Sequence, residues 1–168
     1  DEQEQDAFEE ISPDGDVIFV FDDGTKKIHV HSFILKNASP IFSAMLGGNS
    51  KEGQMLRQAE GKQPIEIPLP YDDFDAFRSI CFALQDQSHT KKHSPSYNNL
   101  VKVFEVIDKY NLVNAISLSF EFWLMNHDYK GNDMVVLWQL MLICHQVKAD
   151  KPFRALSRRI VLGAPHSY

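Results

Sequence analysis

Seven histidines and two cysteines are the residues of this chain best suited to chemistry, and their spacing limits what they can do. His29 and His31 stand two apart on a strand pattern, which turns both rings to one face. Zinc needs three or four ligands, and no Cys, Asp or Glu is spaced to complete a set with them. His89 and His93 lie in a polar stretch with Lys91, Lys92 and Pro95 and read as solvated. Cys81 and Cys144 both fall inside apolar helical patterns, where a free thiol packs as a small hydrophobe. No Gly-x-Ser-x-Gly elbow, Walker sequence or dinucleotide glycine pattern is present. Gly47, Gly48 and Gly53 follow a helix pattern rather than joining a strand to a helix, so they are not placed to aim amides at a phosphate. The residues therefore point away from catalysis, metal and cofactor binding, and toward surfaces.

Composition narrows the remaining classes. A chain of 168 residues is one domain in size and buries a core without staples. Two thiols in apolar settings suit a reducing compartment, cytoplasmic or nuclear. No apolar run reaches the length of a membrane span, and residues 1–11 are acidic where a signal peptide is basic. A net charge of −6 disfavours broad nucleic-acid binding, which needs a basic face. Of the basic clusters, Lys91 and Lys92 read as loop. Arg154, Arg158 and Arg159 read as helix C-terminal charge that complements the macrodipole.

The elements that must position these residues follow from periodicity. Residues 1–11 have few apolar anchors and are expected to be a disordered acidic segment. From Asp16 the chain turns apolar through Val17 to Phe21, reverses at Asp23-Gly24 and returns through Lys27 to Val30, a hairpin pattern. The first strand is apolar throughout and is expected to be central and covered on both faces; the second alternates Ile28 and Val30 inward with His29 outward. Two short helices follow, the second capped by Ser39 with Pro40 at its first position. The glycine-rich stretch 47–61 reads as a loop, and Ile65 to Leu69 as an edge strand bracketed by Pro64, Pro68 and Pro70. Helical patterns then run from Asp72, read as an N-cap, to Gln85, through Leu100, Val103, Phe104 and Ile107 to Asn111, and over Val113 to Asn126. Phe82 lies off the buried stripe of the first. Two more begin at the caps Asp133 and Asp150, the former bearing Leu137, Trp138, Met141, Leu142 and His145, with Trp138 and Leu142 expected to be buried.

This order of elements, with Asp16, His31, Leu35, Ser39 and Phe42 at their offsets and with Asp108 to Leu112 and Phe122 to Leu124 downstream, resembles a BTB (POZ) domain over residues 12–125. Residues 126–168, packed on that domain, resemble the helical extension of many fungal BTB-domain proteins. The resemblance implies an α+β (mixed α/β) fold, a small three-stranded sheet flanked by helices with a C-terminal helical extension. It also implies a non-catalytic adaptor or scaffold.

The resemblance further implies two surfaces. The first helix commonly forms a two-fold dimer, which places Phe33 and Ile34 at a homodimer contact and Leu35 inward; the alternative is that both are core. A second surface, carrying Ser50, Glu52 and Phe82, is where cullin-binding members engage a ubiquitin-ligase scaffold. Such members often have a hydrophobic residue two before the Glu, and Ser50 departs from that pattern. A second departure is Ser32, where BTB transcription factors set a basic residue to pair with the Asp at the start of the first strand and build a corepressor groove. Dimeric members also swap a longer N-terminal element, and the segment before Asp16 is short and acidic, so dimerisation would rest on the first helices.

Overall fold

The structure, a computed structural model, describes residues 7–59, 61–85, 93–127 and 133–163. Four strands, β1 (Ala7–Glu10), β2 (Val17–Phe21), β3 (Lys26–Val30) and β4 (Ile65–Pro68), form one sheet in the order β1-β3-β2-β4. The helices are α1 (Ser32–Ala38), α2 (Pro40–Met45), α3 (Lys51–Ala59), α4 (Phe74–Gln85), α5 (Leu100–Lys109), α6 (Val113–Asn126), α7 (Met134–Gln146) and α8 (Asp150–Gly163).

The hairpin forms as its turn residues dictate. Gly24 takes φ +94°, a conformation that costs glycine little, and β2 and β3 then pair antiparallel with Val17 opposite Val30. β4 joins β2 in parallel at one edge, where the Ile65 and Leu69 amides donate to Asp16 and Val20 while Pro68, with no amide proton, faces away from β2. The sheet has four strands rather than three, because residues 7–10 pair in parallel with β3. The expected disorder of residues 1–11 thus fails for residues 7–11: backbone hydrogen bonding to β3 anchors them, and Ile11 is buried in the core.

β2 is internal as expected, but only Val17, Phe19 and Phe21 are fully buried, while Ile18 and Val20 are half-buried. Behind its buried face lies a cluster of rings. Phe77 meets Phe19 and Phe21 at 5.2 and 5.3 Å, and Phe42 stacks on Tyr110 at 4.4 Å. A buried side chain of this size contributes about 1.5–3 kcal/mol, so these rings hold the helices to the sheet.

Two non-glycine residues in left-handed conformation close helices. Asn111 (φ 49°) ends α5, as its type suggests. Lys148 (φ 57°) ends α7 in a Schellman arrangement, with the Ala149 amide on the Cys144 carbonyl at 2.8 Å and the Lys148 amide on that of His145 at 3.3 Å. The three-residue turn sends α8 back along α7, and α7 rests on α5 while α8 rests on α6. Leu137, Leu140, Ile143, Cys144, Leu156 and Ile160 continue the hydrophobic core of the preceding domain.

Several inward and outward assignments differ from the sequence pattern. His29 is buried rather than exposed, with its Nε2 2.8 Å from the Gly15 carbonyl oxygen and the Phe8 ring of β1 beside it. On α7, Leu140 and Ile143 point inward, while Trp138 and Leu142 face solvent. The stretch 47–61 is not all loop, since α3 occupies 51–59 of it.

Candidate functional site

The start of α1 is built from β2. His31 holds the N-cap position but its side chain makes no capping bond, and its Nδ1 has no hydrogen-bond partner. Asp16, immediately before β2, supplies the cap instead. Its Oδ1 accepts from the Ser32 amide and its Oδ2 from the Ser32 hydroxyl, both at 2.6 Å. A carboxylate at this helix end satisfies the orphan Ser32 amide and opposes the positive end of the dipole. Ser32 therefore occupies both oxygens that a basic residue would otherwise address.

On α1 so positioned, three successive residues have three fates. Phe33 is 65% exposed, Ile34 is half-buried and Leu35 is buried. Ile34 lines a small cavity with Val30, Leu35, Cys81 and Leu84, so it is partly core, while Phe33 stands outside it.

Ser39 and Phe42 serve the interior. The Ser39 hydroxyl accepts from the Phe42 amide at 3.0 Å, capping α2, and donates to the Tyr110 carbonyl oxygen at 2.5 Å. The Tyr110 hydroxyl donates to buried Asp72 at 2.8 Å, and Lys109 donates to the same oxygen. Burial, with Asp72 behind it, pushes the Tyr110 phenol well above its ordinary value. Asp72 is thus a bracket between α4 and α5 rather than a cap. The cap of α4 is Asp73, whose Oδ1 accepts from Ala76 at 3.0 Å.

Ser50, Glu52 and Phe82 are placed differently from one another. Ser50 is the N-cap of α3: its hydroxyl accepts from the Gly53 amide at 2.9 Å and donates toward the carbonyl oxygens of Met45 and Gly47. Glu52 is half-buried in the first turn, where the helix dipole favours a carboxylate. Phe82 is not on the surface. It is buried, and the His93 ring stacks on it in parallel at 3.5 Å.

Among the described residues no group of three or more His, Cys, Asp or Glu is arranged to hold a metal ion. Both thiols are buried, and burial pushes them up, Cys144 to about 12, so neither is a thiolate near neutral pH. His89, Lys91 and Lys92 lie outside the described residues. Among the described residues no helix is long and apolar enough to cross a membrane.

A sheet of this order with the α1–α2 pair, the Asp16 cap and the Ser39–Tyr110 link is accompanied by a match to the BTB/POZ domain family over residues 8–126. The chain belongs to the BTB/POZ domain family. No curated protein matches the chain. Membership makes it a domain of a protein-interaction family whose members are typically non-catalytic. The match begins within β1, at Phe8, and ends at the last residue of α6, with α7 and α8 beyond it.

Two features of the BTB domain surface were not anticipated. α3 was hidden by its glycine, although Ser50, Glu52 in the first turn and Arg57 in the last are the signals of a short helix. The outward face of α7 was hidden because apolar residues lie on every side of the helix, so that periodicity does not choose a buried face.

Proposed function

We propose that this BTB domain is a non-catalytic adaptor that self-associates through the outer face of α1. The observation that carries the reading is Phe33, 65% exposed on a helix whose neighbouring Leu35 is buried. A large aromatic ring in water costs solvation free energy that a two-fold contact recovers twice in each dimer. Light scattering tests it: the parent chain is a dimer at tens of micromolar, and Phe33→Lys yields a folded monomer. A monomeric parent overturns the reading. Ile34→Lys separates contact from core, since unfolding rather than dissociation would assign Ile34 to the interior.

Recruitment to a cullin, as a substrate-adaptor subunit, is the second reading. Glu52 at the surface of α3 favours it, and the engagement of Ser50 in capping opposes it. A hydroxyl does not fill an apolar pocket, and a missing anchor at an interface centre costs about 2 kcal/mol, roughly thirty-fold in affinity. Calorimetry against a cullin N-terminal domain should show weak binding or none. Sub-micromolar binding would reinstate the second reading.

A further inference from the structure

The hairpin of α7 and α8 presents an outer surface that its own fold does not explain. α7 is 13 residues long and carries no Asp, Glu, Lys or Arg. A helix apolar on all sides belongs in an interior, yet Val135, Trp138 and Leu142 are 62%, 49% and 58% exposed. These residues recur at i, i+3 and i+7, a straight ridge of about two turns. Their polar neighbours on that face, Gln139, His145 and Gln146, include no carboxylate or primary amine.

The exposed side of α8 carries four cations between Asp150 at its start and the apolar Val161 and Leu162 at its end. Lys151, Arg154 and Arg158 follow one another at i, i+3 and i+7, with Arg159 beside them, and all are exposed. The helix continues to Gly163, so its last turn holds no basic residue and these cations do not complement the macrodipole there, contrary to the sequence expectation. Lys151 stands in the first turn, where the dipole disfavours a cation. Among the described residues none of the four forms an ion pair. With α7 resting on α5 and α8 on α6, the outward sides of both helices belong to one surface.

We infer that this surface binds an acidic amphipathic helix of a partner protein, its apolar stripe on Val135, Trp138 and Leu142 and its carboxylates on Lys151, Arg154 and Arg158. Apolar anchors at helical spacing fit helix-on-ridge docking. Charge complementarity selects the occupant. A second copy seated on α7 about a two-fold axis would bring α8 cations toward α8 cations, whereas carboxylates along a partner helix would meet them with opposite charge.

Trp138 is a built-in reporter, since the other tryptophan, Trp123, is fully buried. The probe is a synthetic peptide of about 18 residues, five helical turns, with Leu along one stripe and Glu elsewhere, and a twin with Lys in place of every Glu. The Glu peptide should shift Trp138 emission to the blue with micromolar affinity, and the Lys twin should not. Arg154→Glu with Arg158→Glu should weaken binding at least about tenfold, and Leu142→Ser should do so independently, with circular dichroism unchanged in both. Equal binding of the twin, no binding of either peptide, or indifference to the charge reversal would overturn the assignment. A shift produced by phosphatidylserine vesicles or a single-stranded oligonucleotide but not by the Glu peptide would overturn it too. So would a lower oligomeric state in Leu142→Ser, which would give the face to a second copy.

Discussion

A methyl group placed on Gly53 would lie 1.5 Å from the carbonyl oxygen of Gly47 and 2.8 Å from the Ser50 hydroxyl. The start of α3 and the end of α2 therefore touch backbone to backbone. Glycine inside a helix ordinarily costs about 1 kcal/mol relative to alanine, so Gly→Ala there usually stabilises. Here the sign reverses. Gly53→Ala should lower the unfolding free energy by about 1–3 kcal/mol, the range of overpacked sites, as read from urea denaturation. A stabilised variant would show that α3 is not seated on Gly47.

Asp16 and Ser32 should be energetically coupled. Hydrogen bonds to a charged group contribute about 1.5–3 kcal/mol, and removing Asp16 also leaves the Ser32 amide without its acceptor. Ser32→Ala should cost about 1.5 kcal/mol and Asp16→Ala more. In the double variant the two losses should fall short of their sum. Strict additivity in denaturation curves would show that the two side chains act separately.

Acid should weaken the fold through Asp73. Burial acts to raise its pKa, but the hydrogen bond from Lys102 at 2.7 Å and the Ala76 amide outweigh it and leave the carboxyl below its usual 3.8. A carboxyl depressed in the folded state contributes stability that is complete above the unfolded value and disappears as pH falls through the folded one. The urea midpoint of the parent should therefore fall below about pH 4 more steeply than that of Asp73→Asn. Parallel profiles would remove Asp73 from the acid response.

The helices beyond residue 126 should be integral to stability. Leu137, Leu140, Leu156 and Ile160 are buried against the domain, and each contributes about 1.5–3 kcal/mol, together comparable to a domain's net stability of about 5–15 kcal/mol. Ending the chain after Asn126 should give insoluble or strongly destabilised protein. A truncated chain that melts at the parent's temperature would mark α7 and α8 as an appendage.

What could be read from the sequence was local. The Ser39-Pro40 start of α2, the Asp133 cap of α7, with its Oδ1 accepting from Val135 at 2.8 Å, and the Asn111 closure each depend on side chains acting on their own backbone. What could not be read was set by approach of distant segments. β1 is held by backbone pairing with β3, which leaves no periodic trace in four residues. Gly53 looks like a loop residue until Gly47 is seen against it. Asp72 reads as the cap of α4, and only the position of Tyr110 at the end of α5 assigns it to the interior and leaves the capping to Asp73. The same limit applied to Phe82, since its cover comes from His93 across a separate connection.

The two outer strands of the sheet have a consequence for how copies of this chain can meet. β4 is four residues long, ends in Pro68 and is flanked by Pro64 and Pro70; β1 is equally short and carries Glu9 and Glu10. Prolines interrupt the donor row on one side, and acidic side chains repel a like strand on the other. Neither border offers a template on which a further strand could grow. Contacts between molecules are thereby left to helical faces such as α1 and α7, whose side-chain shapes admit particular partners, and the unbounded stacking that leads to fibrils is discouraged at both ends of the sheet.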